Sequence, residues 1–154
     1  MKPIILFLVT VSSVVAFCAD CKDEAKVAVT FLNQYVAFRD AAIKTKQSAD
    51  VEKWLKSNTL ITKEFIANYK SEERKGLAMD PELGWDSDVI LNSQDYPDQG
   101  FKFLKCLDQN GFVVLQGVDW PEFTVTVCVV TTKNGFKVSG SGVVNIPKQL
   151  QAKQ

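Results

Sequence analysis

Residues 80–100, DPELGWDSDVILNSQDYPDQG, separate a first half with helical patterns from a second half with strand patterns. Two prolines and five aspartates make this stretch typical of loops and turns rather than of a packed helix or strand. At about twenty residues it is longer than an ordinary connection, and such loops are usually functional or disordered. Its central apolar residues, Val89, Ile90 and Leu91, indicate an ordered loop that is anchored to a core. We therefore expect this connection at the functional edge of the molecule, with helices before it and strands after it.

Three helical segments precede the connection. Over residues 23–43, apolar residues recur at steps of three and four and form one buried face: Ala28, Phe31, Leu32, Tyr35, Phe38 and Ala42. A short helix follows with Ser48 or Asp50 as its N-cap, and a third helix begins after its N-cap Thr62. Gly76 is predicted to end this third helix as its C′ residue.

The residues after the connection predict a β-meander. Four segments of strand-forming residues are separated by turn signals: 101–107, 112–118, 123–132 and 136–146. Asn134-Gly135 predicts a two-residue type I′ turn with both residues at positive φ, which would place Val127 opposite Gly142. The expected fold class is therefore α+β, with N-terminal helices packed on a curved antiparallel β-sheet in a cone-shaped arrangement.

The N-terminus predicts export. Lys2 precedes an apolar run at residues 3–15, which has the length of a signal-peptide core and is too short to span a bilayer. Small residues before the expected cleavage site give a signal peptide at residues 1–16 and a single α+β domain at residues 17–154. We expect the mature protein to be periplasmic or secreted, with no membrane segment left after cleavage.

Four cysteines remain in the mature chain, and an even number in an oxidising compartment predicts disulfides. Cys18 and Cys21 have the spacing of a redox or zinc motif, but the βαβ context and a second close pair are missing. In a simple meander, Cys106 and Cys128 lie on either flank of the middle strand, roughly 10 Å apart. That separation is beyond disulfide reach, so each is expected to pair with Cys18 or Cys21.

Charge and histidine content limit the possible functions. The chain has 18 basic and 18 acidic residues, and no basic patch indicates binding to nucleic acid or to an anionic membrane. It contains no histidine, which excludes Ser-His-Asp and Cys-His nucleophile systems and His-ligated metals. We expect no enzyme activity and no cofactor.

Two alternatives depend on the aspartates. An isomerase or dehydratase would need a carboxylate in an apolar pocket, and four aspartates lie near suitable aromatic residues: Asp86, Asp88, Asp95 and Asp119. Calcium could bind Asp86, Asp88, Asp95 and Asp98, but the glycine and the final glutamate of an EF-hand loop are missing. No metal site is therefore expected.

Several short motifs resemble a known family. They are residues 60–65 (LITKEF), Asp80-Pro81 and Gln94-Asp95-Tyr96, followed by a closing pair of strands. They are similar to a family of small exported bacterial domains of unknown function with a nuclear transport factor 2-like (SnoaL-like, cystatin-like) fold. That family includes immunity proteins for amidase effectors of type VI secretion. The resemblance spans roughly residues 24–147. It implies a periplasmic immunity protein that blocks a secreted peptidoglycan amidase.

An aromatic, aspartate-rich loop without catalytic residues is also what a protein-binding surface requires. The residues expected to contact a protein partner are Tyr96, Asp95, Asp98, Asp88, Trp85 and Trp120. Tyr96 is the best single candidate because Pro97 limits its freedom, although Tyr96 and Trp85 could instead pack the loop onto the core. A small-ligand carrier is a further alternative, and the oligomeric state is left open.

Overall fold

The computed structural model describes residues 21–107 and 111–152. The helices are α1 (Lys22–Lys44), α2 (Val51–Ser57) and α3 (Lys63–Met79), and a short 3₁₀ helix spans Lys148–Leu150. The strands are β1 (Phe101–Cys106), β2 (Phe112–Gly117), β3 (Thr124–Thr132) and β4 (Gly135–Ser141). They form an antiparallel meander in the order β1-β2-β3-β4, with the helices packed against it. The predicted α+β class and the three helices are confirmed.

Helix α1 forms the centre of the core. It contacts all four strands through its apolar stripe, which includes the buried Ala28, Phe31 and Leu32. Fully buried strand residues such as Leu115 and Val127 lie in the same core cluster. Burial of large apolar side chains is the dominant favourable term in folding, so this contact fixes α1 on the sheet.

The helix starts follow from local capping. Asp50 is the N-cap of α2, and its side chain accepts the Lys53 N–H at 2.9 Å. Thr62 caps α3 by accepting the Phe65 N–H at 3.1 Å. Each cap satisfies a backbone donor that the first helical turn leaves without a partner.

The predicted end of α3 is wrong. The helix continues through Gly76 to Met79, and Gly76 is a buried position inside it. A Cβ at Gly76 would lie 2.7 Å from the backbone nitrogen of Trp85. Glycine is therefore required here because the 80–100 connection folds back onto the helix, rather than because the helix ends.

The predicted β3–β4 hairpin is also wrong in its details. Only Gly135 in the turn has positive φ, and Thr132 pairs with Gly135. The loop is therefore closed one residue earlier than predicted, with Lys133 and Asn134 between the paired residues and neither of them at positive φ. The Thr132 hydroxyl supports it by accepting the Asn134 N–H at 3.1 Å. The earlier turn and a bulge between Cys128 and Val129 together place Val127 opposite Ser141 instead of Gly142.

Strand β4 is shorter than predicted and ends at Ser141. Gly142 has φ +62°, and a Cβ there would lie 2.5 Å from the carbonyl oxygens of both Val89 and Ile90. The glycine therefore permits close contact between the end of the sheet and the middle of the 80–100 connection. A bulge interrupts the pairing of β4 next to Gly140, because Gly140 faces Cys128 whereas Val138 faces Val129.

A disulfide joins Cys21, at the start of α1, to Cys106 at the end of β1, with Cα atoms 6.4 Å apart. One predicted link between the N-terminal pair and the sheet is thus confirmed, and it fits an exported protein. Cys128 is buried on β3, where its Sγ accepts the Ser139 hydroxyl at 3.3 Å. Cys18 and the predicted signal peptide lie outside the described residues. Within residues 21–107 and 111–152, no helix is long and apolar enough to cross a membrane.

Candidate functional site

The Asp88 carboxylate organises the 80–100 connection. Its Oδ1 accepts the N–H groups of Ile90 at 2.9 Å and Leu91 at 3.1 Å, which turns the chain sharply. The backbone of Asp88 also pairs with Ser93 through two hydrogen bonds. One side chain therefore closes a compact turn around the apolar centre of the connection.

The other oxygen of Asp88 binds helix α1. Asp88 Oδ2 accepts the Tyr35 hydroxyl at 2.5 Å and forms an ion pair with Arg39 Nη1. Tyr35 and Arg39 lie one helical turn apart, and Arg39 also donates to the Tyr35 hydroxyl at 3.1 Å. Burial, and then the negative charge of Asp88, raise the pKa of Tyr35 well above its ordinary value. The phenol thus stays protonated and donates to the carboxylate.

A cavity of about 640 Å³ opens beside this network. Helix α1 contributes Tyr35 and Arg39 to its wall, α3 contributes Tyr69 and Glu73, and the connection contributes Trp85 and Asp86. The volume is in the range of small-molecule pockets in proteins. Helices and connection therefore meet in a solvent-open cleft with aromatic and charged walls.

The electrostatics of this cleft are governed by carboxylates. Burial, followed by the charge of Asp88, raises the pKa of Glu73, although much of this residue is exposed on the surface of α3. Burial, followed by the charge of Glu73, also raises the pKa of Tyr69. Ionised Glu73 is therefore held at some cost in free energy, close to a second negative charge.

Trp85 attaches the connection to α3. Its indole Nε1–H donates to the Glu72 carbonyl at 2.7 Å, and the residue lies against Gly76. This contact explains both the buried glycine within the helix and the position of Trp85 in the wall of the cleft. Of the two interpretations for Trp85, its packing role is present in the structure, and its partner contact remains a prediction.

Three large apolar side chains are exposed between the end of α3 and the start of the 80–100 connection. Leu77 is 50% exposed, Met79 74% and Leu83 80%. Leu77 and Leu83 line the cleft itself, and Met79 occupies the last residue of α3. We call these three residues the apolar rim. None of them contributes to the core, so the fold does not account for their apolar character.

The other predicted contact residues lie elsewhere on the connection. Tyr96 is half-buried, packs against the core, and donates its hydroxyl to Asp40 Oδ1 at 2.9 Å. Burial and this hydrogen bond raise the pKa of Tyr96 to about 12. Asp95 is exposed. Asp88, in contrast, is withdrawn from the surface, since its side chain is only 6% exposed.

A second group forms at the turn between β2 and β3. The Asp119 carboxylate accepts the N–H groups of Asp98 at 3.2 Å and Gln99 at 2.9 Å, bonds that lower the pKa of Asp119. Trp120 is partly exposed and contacts Phe123, with ring centroids 5.1 Å apart. Of the six predicted contact residues, Trp85 and Asp88 therefore lie at the cleft, Asp98 and Trp120 lie at this turn, and Tyr96 and Asp95 belong to neither group.

Sequence reasoning missed Arg39, Tyr69 and Glu73. Arg39 follows Tyr35 by one turn on an otherwise apolar stripe, and a charged residue there was the available signal. Glu73 lies in the largely charged run at residues 71–75, a pattern typical of the solvated face of a helix. Its approach to Asp88 is a tertiary contact without a local signal.

In the part of the chain that the structure describes, no group of three or more Cys, Asp or Glu side chains is placed to hold a metal ion. Three of the aspartates considered for calcium already differ in environment, because Asp88 is nearly buried whereas Asp86 and Asp95 are exposed. Comparisons with protein-family models, with curated proteins and with solved structures find no match for this chain.

Proposed function

We propose that this chain is an exported protein-binding protein whose contact surface is the apolar rim around the cleft. The observation that supports this most is the exposure of Leu77, Met79 and Leu83 on one short segment, next to a cleft with charged walls. Grouped exposed apolar residues with polar neighbours are typical of interaction sites.

The support beneath the rim is rigid. Asp88 closes the turn that follows the rim segment, and Trp85 bonds to α3. The Val89 carbonyl accepts the Val143 N–H at 2.9 Å, and the Ile90 carbonyl accepts the Ser141 hydroxyl at 2.8 Å. A contact surface held in its bound conformation loses less entropy on association, which favours affinity.

The resemblance to exported immunity proteins extends this proposal to a specific partner class. We infer a secreted peptidoglycan amidase as the partner and the periplasm as the compartment. An inhibitor of this kind needs no catalytic residues, because a rigid projection that fills the groove of the enzyme excludes the substrate. In this proposal a few apolar anchors supply most of the affinity, as at other interfaces.

The test is affinity capture with the purified mature domain from envelope and culture extracts. We expect one partner to be retained by the wild type, to hydrolyse peptidoglycan, and to be inhibited by the domain. Leu83→Asp should abolish capture, whereas Ile43→Asp, a change at an exposed apolar position on the last turn of α1, should not. Equal capture by both variants would refute the rim as the contact surface, and a partner without hydrolase activity would refute the amidase.

The cleft also favours a second candidate, a small-ligand carrier. About 640 Å³ is enough for a metabolite-sized molecule. Native mass spectrometry of the domain purified from its own compartment would test this candidate. A bound small molecule that remains after Leu83→Asp would favour the carrier over the protein-binding proposal.

A further inference from the structure

The charges that line the cleft do not cancel. Arg39 and Asp88 form an ion pair and neutralise each other. Glu73 and Asp86 remain, and neither forms an ion pair with any residue that the structure describes. The cleft therefore presents a net negative charge to whatever enters it.

We propose that the cleft is a receptor for an organic cation, namely the guanidinium or ammonium group of an arginine or lysine side chain of the protein partner. The cation would lie between Glu73 on α3 and Asp86 on the connection, in the cavity lined by Tyr35, Tyr69 and Trp85. This inference rests on the proposed protein-binding function and names the chemistry by which the partner is recognised.

The walls favour a cation over other ligands. An anion would meet two carboxylates, and the one guanidinium among the described lining residues is already bonded to Asp88. An apolar group would bury charged side chains without a partner, which is costly. The partly exposed indole of Trp85 in the wall can attract a cation through its π face. A divalent metal is disfavoured because the carboxylates of the described residues are not grouped for coordination.

A bound cation would also offset the unfavourable environment of the Glu73 carboxylate. Glu73 ionises against partial burial and the nearby charge of Asp88, as its raised pKa indicates. A guanidinium or ammonium group at hydrogen-bond distance would stabilise the ionised form. It would add to the stabilisation that the Tyr69 hydrogen bond and the charge of Arg39 already give to the Glu73 carboxylate.

The position of the cleft agrees with a side chain as the ligand. Leu77 and Leu83 of the apolar rim border its mouth. A partner surface that covers the rim would therefore place its own side chains directly over the opening. Long basic side chains can extend an apolar stem past such a rim while the charged head reaches the carboxylates.

The experiment is a titration of the mature domain with N-acetyl-arginine methylamide, followed by NMR chemical-shift changes. N-acetyl-citrulline methylamide is the matched neutral probe. We expect the arginine probe to shift resonances of the cleft at millimolar concentration, and the citrulline probe to bind at least about tenfold more weakly. Glu73→Gln and Asp86→Asn should each weaken binding of the arginine probe about threefold to tenfold. Glu82→Gln, a change at an exposed position of the same connection outside the cleft, should leave it unchanged.

Equal shifts from both probes, or none at about 20 mM, would overturn the proposal, since a site that recognises charge would be near saturation there. The capture assay separates this failure from that of the proposed function. Capture that is lost in Leu83→Asp but retained in Glu73→Gln would refute the cation receptor alone. Binding of the arginine probe without capture of any protein would refute the protein-binding function. It would support the cation chemistry and assign the site to a free small amine.

Discussion

Residues 89–91 and residues 82–86 belong to the same connection, but they differ in burial. Val89, Ile90 and Leu91 are buried, and Gly142 lies directly against their backbone. A few residues earlier, Leu83 is almost fully exposed. One connection thus combines a buried anchor with an exposed segment, and in the proposed function the anchor holds the exposed segment in place for partner binding.

The largest expected effect comes from disrupting the anchor. Gly142→Ala would place a Cβ 2.5 Å from the carbonyl oxygens of Val89 and Ile90, at a positive φ. We expect a loss of at least about 3 kcal/mol in the free energy of unfolding, measured with urea. Gly135→Ala is the control, because Gly135 also has positive φ but nothing lies within 4 Å of its Cβ position.

That control should lose only about 1–2 kcal/mol, the cost of the left-handed conformation. Equal losses in the two variants would mean that the contact between Gly142 and the connection contributes nothing beyond backbone strain. Residues 89–91 would then not be anchored through Gly142.

The second effect concerns the polar part of the anchor. Asp88→Asn keeps the shape of the side chain but leaves Arg39 without its anionic partner. We expect a loss of about 2–3 kcal/mol, below the usual range for a broken buried pair because Arg39 is partly exposed. Asp86→Asn, two residues earlier and exposed, should change the free energy of unfolding by less than about 0.5 kcal/mol. A neutral effect of Asp88→Asn would show that the Tyr35–Arg39–Asp88 network does not hold the connection.

The smallest expected effect is a slight increase in the stability of the fold at pH 7 when Glu73 is replaced by Gln. Because the folded protein raises the pKa of Glu73, its ionised form is less favourable in the folded than in the unfolded chain. The folded state therefore binds more protons, and stability decreases as the pH rises from the ordinary value of 4.5 through the folded pKa. Glu73→Gln should match the wild type at low pH and be slightly more stable at pH 7.

Thermal midpoints of both proteins measured across pH 3 to 8 would check this dependence. The difference between the two midpoints should follow the titration of about one carboxyl group. A variant that is less stable than the wild type at pH 7 would mean that the Glu73 carboxylate is a structural group. Its assignment to the cleft as a binding group would then lose its energetic support.

Local signals predicted much of the fold. Residues close in sequence form the caps at Asp50 and Thr62 and the apolar stripe of α1. The starts of α2 and α3 could therefore be predicted from the sequence alone. The meander followed from turn signals between strand-forming segments. The hairpin register was missed because Asn-Gly is compatible with more than one turn, and a change of turn type shifts the pairing.

The site could be predicted only in part. The sequence indicated that the 80–100 connection is ordered and anchored, which the burial of Val89, Ile90 and Leu91 confirms. Its alignment with α1 depends on the contact between Arg39 and Asp88, which are 49 residues apart. Gly76 was misassigned for the same reason, since Trp85 approaches it through tertiary folding. Contacts of this kind have no periodicity that a single sequence can show.

The most direct test of the central claim is the affinity of the captured partner for the Met79→Ala/Leu83→Ala double variant. Both side chains are largely exposed and absent from the core, so their removal should change the free energy of unfolding by less than about 0.5 kcal/mol. If the rim is the contact surface, binding should weaken by about 2 kcal/mol, or roughly thirtyfold, as expected for interface anchors. Unchanged affinity, with the fold intact, would contradict the assignment of the exposed half of the connection to partner binding.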